Sequence, residues 1–144
     1  PKDFDYFEKL KKLVKELKLE NVVEFSGFVP YSQIAVYYKE SDIFINLAPP
    51  GGIDKAVLEA MASSLPILAP NAGALPELVK DGLNGYLFKP DDTDDFAAKL
   101  TLILTNPSTA KRMGEQSLAF VAQHEVSLSI DRFEHIYFHL LKPL

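Results

Sequence analysis

A glycine-rich loop that leads into a helix is the first feature of the sequence that could bind a ligand. The stretch PPGGIDKAVLEAMASSLPILAPN, residues 49–71, places Gly51 and Gly52 shortly before a helical pattern. Glycines let the backbone approach a ligand closely, and a helix start offers free N–H groups and the positive end of its dipole to an anion. A phosphate-binding loop is one interpretation, and a tight turn required by packing is an equally good one.

Two charged residues stand at the head of this helix. Asp54 is a good N-cap, because its carboxylate can accept hydrogen bonds from first-turn N–H groups. The same carboxylate would compete with a phosphate for those groups and would repel it, unless the charge of Lys55 offsets the repulsion.

Glu59 is a carboxylate inside an otherwise apolar helical stretch, five residues beyond Asp54. Helical side chains lean toward the helix N-terminus, so this carboxylate could reach the strand ends. There it could accept hydrogen bonds from vicinal ribose hydroxyls, as acidic residues do in dinucleotide folds. A solvated surface glutamate is the competing interpretation, and the residues alone favour it over the ligand role.

Other catalytic chemistries find little support in the sequence. His135 and His139 have the i, i+4 spacing of a metal-binding pair, but without an evident third ligand a packing or surface role is favoured. No nucleophile elbow appears. The chain has no cysteine, which excludes thiolate metal sites and disulfides. Three tyrosines could form a platform on which a ligand stacks, but a packing role is favoured for them; they are Tyr31, Tyr37 and Tyr38.

Composition narrows the remaining classes of protein. The 144 residues are 47% hydrophobic and carry a formal net charge of −5, with scattered Lys and Arg residues. An acidic chain without a basic cluster argues against nucleic-acid binding. The longest apolar runs, such as LPILAP, are too short to span a bilayer. The length suits one globular domain, and a chain that begins at Pro1 leads us to expect a processed or excised piece.

Alternating strands and helices must position these residues. Apolar runs predict four strands, at residues 22–25, 42–47, 66–69 and 85–88. Periodicity and capping residues predict helices at about 3–18, 32–39, 54–64, 74–82 with Gly82 as C-cap, 91–106, 107–123 and from 127 onward. Such alternation implies an α/β fold with a parallel sheet and helices on both faces. Ligands of such sheets bind at the carboxyl ends of the strands.

Residues 22–100 resemble the carboxyl-terminal domain of a glycosyltransferase of family 4. The segments that match in family order and spacing are VEFSG at 23–27, Ser41-Asp42, LEAMA at 58–62, LPI at 65–67, Ala72-Gly73, Glu77, Val79, Asp81-Gly82 and Gly85. The resemblance implies the GT-B architecture, in which two Rossmann-like domains face each other across a cleft and the second binds the sugar nucleotide. This chain would be a single partial domain, with a donor-binding part at 1–105 and C-terminal helices at 106–144.

The resemblance also implies roles for individual residues. Glu59 matches the second Glu of the family's E-x7-E motif, which binds the ribose hydroxyls. Phe28 and Val29 lie where the family's backbone meets the nucleotide base. The donor-binding loop, whose amides face the sugar and the diphosphate, would comprise Gly51, Gly52, Ile53, Asp54 and Lys55.

Three positions depart from the family pattern. Gly51 stands where the family has the first Glu of E-x7-E, a carboxylate that contacts the donor sugar and is tied to catalysis. Asp54 and Ser64 replace glycines. The catalytic residue therefore stays unassigned, as do the donor sugar, the base and the acceptor.

Two strands of the family pattern have no counterpart before the predicted helix at 3–18. In the family, the loop after the first of them carries an Arg and a Lys that bind the donor phosphates. In the common strand order 3-2-1-4-5-6, these strands would lie between those predicted at 22–25 and 42–47. The chain would then pair its strands differently, have another strand order, or be completed by another chain, with self-association as one outcome.

The function implied by the resemblance is that of a hexosyltransferase that uses a nucleotide-sugar, retains anomeric configuration and needs no metal or other cofactor. Its other partner would be the N-terminal acceptor domain of the same full-length protein. It would act in glycan or cell-envelope polysaccharide biosynthesis, in the cytoplasm or at the inner face of the membrane, and residues 1–144 alone would not transfer sugar. Two alternatives stay open: a non-catalytic nucleotide-binding or scaffold domain, which Gly51 favours, and another Rossmann-like enzyme such as a nucleotide-sugar epimerase.

Overall fold

The structure, a computed structural model, describes residues 2–48, 51–52 and 54–122. The helix predicted from residue 127 onward, with His135 and His139, lies outside these residues. The chain divides into two compact units, the first ending at Tyr31 and the second beginning at Ser32.

The first unit consists of one helix and a segment without regular structure. Helix α1 spans Lys2–Glu16, close to the predicted bounds. The ring of Phe7 on α1 meets the edge of Phe25, with ring centroids 5.2 Å apart. The ammonium of Lys11 lies 4.2 Å from the Phe7 centroid, so this aromatic pair also supports a cation–π contact.

The predicted strand at residues 22–25 is wrong. The backbone N–H groups of Val22 and Val23 both donate to the carbonyl of Leu19, at 3.0 and 2.9 Å, and so form a turn. A strand is held by hydrogen bonds to a neighbouring strand, and no strand in the described residues pairs with this segment. Its apolar residues therefore carry a strand-like pattern without forming a strand.

The described residues of the second unit form a parallel sheet of three strands rather than the predicted four. Strands β1 (Phe44–Ile45), β2 (Ile67–Pro70) and β3 (Gly85–Phe88) lie in the order β1-β2-β3. Both pairs are parallel, with Ile67 opposite Phe44 on one side and Gly85 on the other. The α/β class and the parallel sheet are confirmed.

Helices surround this sheet close to the predicted positions. They are α2 (Tyr31–Lys39), α3 (Lys55–Ala62), α4 (Leu75–Leu78), α5 (Thr93–Leu104) and α6 (Pro107–Val121). The predicted C-cap at Gly82 is wrong, because α4 ends earlier. The amide of buried Asn84 accepts from the Lys80 N–H at 2.7 Å and donates to the Leu78 carbonyl at 2.9 Å, and so closes the helix end. Gly82, with φ of +77°, shapes the turn before β3 instead.

The core lies on both faces of the sheet, as predicted. Alternate side chains of β2 point to opposite faces, so Ile67 packs in the cluster that contains Met61 of α3. Leu68 packs on the other face with Ile103 of α5. Helix α6 contributes to both clusters, through Ala110 near its start and Phe120 near its end.

Helix α6 packs directly against the turn that follows α3. A Cβ at Gly114 would lie 2.0 Å from the carbonyl oxygen of Ser64, so only glycine fits there. Ser64 itself has φ of +60°, the left-handed conformation that glycine adopts most readily. This backbone conformation gives the physical reason for the glycine that the family pattern has at position 64.

Helix α5 begins with an aspartate cap. The Oδ1 atom of Asp92 accepts from the backbone N–H of Asp95 at 3.0 Å. This hydrogen bond lowers the pKa of the Asp92 carboxyl below its ordinary value, and Lys89, whose Nζ lies 3.5 Å from Oδ2, acts in the same direction.

Candidate functional site

A cavity of about 410 Å³ opens at the carboxyl edge of the sheet, where the sequence places the ligand site. It lies between the end of β1, the loop that follows, and the head of α3. The described residues that line it are Asn46, Ala48, Gly51, Gly52, Asp54, Lys55 and Leu75. The structure thus brings together four of the predicted donor-binding residues. Ile53, the fifth residue of that loop, lies outside the described residues.

Asp54 is fixed by a hydrogen bond to each carboxylate oxygen. Oδ1 accepts from the backbone N–H of Ala56 at 2.9 Å, which confirms the predicted N-cap of α3. Oδ2 accepts from the side-chain amide of Asn46 at 2.7 Å. The head of α3 therefore presents an oriented carboxylate to the cavity, and one of its N–H groups is already occupied.

Asn46 is a site residue that the sequence reasoning missed. Its side chain is almost fully buried, with 4% exposure, and Oδ1 accepts from the Ala48 N–H at 2.8 Å. That contact orients the amide, because only Nδ2 can donate to Asp54. A polar residue at the end of the apolar run DIFINLA was the available signal, since asparagine often bonds to the backbone two residues on.

Two hydrogen bonds between described residues hold the loop between β1 and α3. The Asn46–Asp54 hydrogen bond closes its base, and the carbonyl of Gly51 accepts from the Ala74 N–H, in the loop after β2, at 3.2 Å. A Cβ added at Gly52 would meet no described atom within 4 Å. Packing against the described residues therefore does not require glycine at position 52, which is exposed.

Glu59 lies outside the residues that line this cavity. Its side chain is half-buried, and Oε2 accepts from the hydroxyl of Tyr38 on α2 at 3.1 Å. Five residues along a helix turn through about 500°, so Glu59 and Asp54 face different directions from α3. The structure thus places two carboxylates on one helix, and anchors Glu59 to a neighbouring helix rather than leaving it wholly in solvent.

The residues predicted to meet the nucleotide base lie in the first unit. Phe28 is 91% exposed, and Val29 is partly exposed. Gly27 before them has φ of +64°, which glycine adopts readily. The ring and backbone of this segment are accessible to a ligand.

Residues 2–48, 51–52 and 54–122 contain no histidine, and none of their Asp and Glu residues form a group of three that could hold a metal ion. In the same part of the chain, no helix combines the length and the apolar character needed to cross a bilayer.

The sequence of this chain matches a known protein family. Residues 3–119 match the model described as glycosyl transferases group 1. The sulfoquinovosyl transferase SQD2 of Arabidopsis thaliana is 30% identical over 116 residues, which cover 78% of this chain and 22% of that protein. The MMP alpha-(1->4)-mannosyltransferase of Mycolicibacterium hassiacum is 33% identical over 105 residues, 72% of this chain and 26% of that protein.

Solved structures show the same fold. The C-terminal domain of the glycosyl transferase group 1 family protein LpcC from Francisella tularensis is 29% identical, with a TM-score of 0.80 over 88% of this chain and 66% of that one. Anabaena HepE, solved in complex with UDP-glucose, is 25% identical, with a TM-score of 0.82 over 95% of this chain and 37% of that one. These likenesses confirm the predicted Rossmann-like fold of a GT-B glycosyltransferase.

Proposed function

We propose that the chain, which belongs to the group 1 glycosyl transferases, is the donor-binding domain of a hexosyltransferase that uses a nucleotide-sugar. The observation that carries this proposal is the cavity at the carboxyl edge of the sheet, lined by the Gly51–Gly52 loop and the head of α3. The likeness of the chain to HepE, which was solved with UDP-glucose, supports a uridine diphosphate sugar as the first donor to test. The more specific assignment, to a retaining and metal-independent enzyme of family 4, rests on the motif resemblance.

Glu59 is the residue that we assign to the ribose. Its carboxylate accepts hydrogen bonds only, and a ribose offers two neighbouring hydroxyls as donors. The Tyr38 hydroxyl already holds one carboxylate oxygen, so the group is oriented before any ligand arrives. Phe28 and Val29 would meet the base, through the accessible ring and backbone described above.

The diphosphate would lie at the Gly51–Gly52 loop, with Ile53 in the same segment. The open backbone at Gly52 favours close approach, while the Asp54 carboxylate opposes a second negative charge. Lys55 is the only cation among the described residues that line the cavity, and it is exposed at the first position of α3. We therefore assign Lys55 to offset the charge of the diphosphate.

Asp54 would accept hydrogen bonds from hydroxyls of the donor sugar. Gly51 has no side chain to do so, and Asp54 is the only carboxylate among the described lining residues of the cavity. An ionised carboxylate offers about four lone-pair sites, and two hydrogen bonds are formed within the protein. The remaining sites suit an uncharged, hydroxyl-rich hexose.

The residues that bind the acceptor would lie outside this chain. It spans 22% of the length of SQD2 and 34% of that of N-acetyl-alpha-D-glucosaminyl L-malate synthase of Bacillus anthracis. We place the acceptor site in an N-terminal domain of the full-length protein, acting in the cytoplasm or at the inner face of the membrane. In the described residues β1 pairs with β2 alone, so its outer edge could receive a further strand of that protein or of a second copy.

A non-catalytic domain that binds a nucleotide is the second candidate. Gly51 favours it, because the position that carries the catalytic carboxylate in the family has no side chain here. Binding of a donor without turnover in the full-length protein would support this candidate, whereas a glycosylated product would exclude it.

Titration calorimetry of the full-length protein tests the proposed donor site. UDP-glucose, ADP-glucose and GDP-mannose are titrated separately, because the residues do not fix the base. We expect at least one to bind, and Glu59→Ala to weaken that binding about tenfold or more, since a hydrogen bond to a charged group contributes about 1.5–3 kcal/mol. Glu115→Ala, an exposed carboxylate on α6, is the matched control and should bind as the wild type does. If none of the three donors binds, or if Glu59→Ala has no effect, the proposal is wrong.

A further inference from the structure

Tyr38 combines a buried ring with a hydroxyl that reaches Glu59. The side chain is 8% exposed and belongs to the core cluster that contains Val57 and Met61 of α3. Its ring lies 6.0 Å, centroid to centroid, from that of Phe44. A phenylalanine would offer the same ring to these neighbours. The hydroxyl instead reaches a half-buried position and donates to Oε2 of Glu59 at 3.1 Å.

We propose that Tyr38 is a positioning residue, which orients the Glu59 carboxylate and thereby makes the site select ribose over deoxyribose. The inference rests on the proposed function, in which Glu59 binds the ribose. A glutamate side chain has several rotatable bonds, and ordering it on binding costs conformational entropy. Because the Tyr38 hydrogen bond already orders one oxygen, part of that cost is met when the protein folds.

The hydrogen-bonding capacity of Glu59, with Tyr38 bound to it, gives the selectivity for ribose over deoxyribose. A tyrosine hydroxyl carries one proton, and here it is donated to Glu59. Toward a ligand, the ionised Glu59 carboxylate can only accept hydrogen bonds. A ribose supplies two neighbouring hydroxyl donors, whereas a 2′-deoxyribose supplies one and leaves an acceptor without its partner.

The test compares the dissociation constants of UDP and 2′-deoxy-UDP for the full-length protein. We expect the wild type to prefer UDP by about tenfold, the effect of one hydrogen bond to a charged group. Tyr38→Phe should weaken UDP binding about threefold to tenfold and 2′-deoxy-UDP binding by less, because the deoxyribose has one hydroxyl fewer for Glu59, so the preference falls. Tyr37→Phe, at the half-exposed neighbouring position, is the control and should keep the wild-type preference.

The preference ratio is insensitive to a merely structural role. Both nucleotides meet the same fraction of folded protein, so partial unfolding of a variant would weaken both equally and leave their ratio unchanged. Adding Tyr38→Phe to Glu59→Gln should then have no further effect on the ratio, because the residue that Tyr38 orients is already altered.

Two results separate this inference from the proposed function. If Glu59→Gln leaves UDP binding unchanged, the ribose role of Glu59 fails, and the role of Tyr38 fails with it. If Glu59→Gln weakens UDP binding but Tyr38→Phe keeps the wild-type ratio, the donor site stands and the inference on Tyr38 alone is overturned. A wild-type protein that binds both nucleotides equally would also overturn it.

Discussion

Replacement of Asn46 by alanine should destabilise the fold and loosen the loop that borders the cavity. The asparagine is 4% exposed and sits between the end of β1 and the head of α3. The substitution removes the hydrogen bond from Nδ2 to the Asp54 carboxylate, at 2.7 Å, and that from the Ala48 N–H to Oδ1, at 2.8 Å. The two ends of the loop would then no longer be joined by the Asn46–Asp54 hydrogen bond, and of its described side-chain contacts Asp54 would keep the one with the first turn of α3.

The magnitude follows from the two lost hydrogen bonds. A bond to a charged group contributes about 1.5–3 kcal/mol and a neutral one about 0.5–1.5 kcal/mol. Asp54 is only half-buried, so water can replace the amide at its carboxylate and recover part of the loss. We therefore expect Asn46→Ala to lower the free energy of unfolding by about 2 kcal/mol.

Urea denaturation followed by circular dichroism measures this change. Asn46→Ala, Asp54→Ala and the double variant form a cycle, in which we expect a coupling energy of about 1 kcal/mol or more. Asn71→Ala, at an exposed asparagine after β2, is the control and should lie within about 0.5 kcal/mol of the wild type. A loss below about 0.5 kcal/mol for Asn46→Ala, or strictly additive single variants, would refute the reasoning about the loop base.

Two further predictions concern the fold. Gly114→Ala should destabilise it by about 1–3 kcal/mol or more, because the new Cβ would lie 2.0 Å from the backbone oxygen of Ser64; urea denaturation with an unchanged midpoint would contradict this. The cap hydrogen bond lowers the folded-state pKa of Asp92. The ionised carboxylate therefore stabilises the fold above the usual aspartate pKa of about 3.9, and this contribution is lost as pH falls through the lower folded pKa. Asp92→Asn should therefore reduce the fall in the free energy of unfolding at acid pH. An equal fall in the variant and the wild type would count against the role of the cap.

Features set by short-range chemistry could be predicted from the sequence. Strand β3 has the predicted bounds, and β2 starts one residue later than predicted. The cap of α3 by Asp54 also follows from residue type, because its partner lies two residues away. Such signals need no knowledge of the rest of the fold.

Features that depend on distant partners could not be predicted. The apolar segment 22–25 has the composition of a strand, but a strand requires a neighbour that the sequence pattern does not specify. The role of Asn46 depends on Asp54, eight residues along the chain. The packing interpretation of Tyr38 was right for its buried ring and missed its hydroxyl, which meets a glutamate 21 residues away.

A crystal structure of the full-length protein with UDP-glucose would test the donor site most directly. We expect the ribose hydroxyls within hydrogen-bond distance of Glu59, the diphosphate at the Gly51–Gly52 backbone near Lys55, and the hexose beside Asp54. A nucleotide bound away from the carboxyl edge of the sheet, or a ribose that leaves Glu59 in contact with Tyr38 alone, would contradict this expectation.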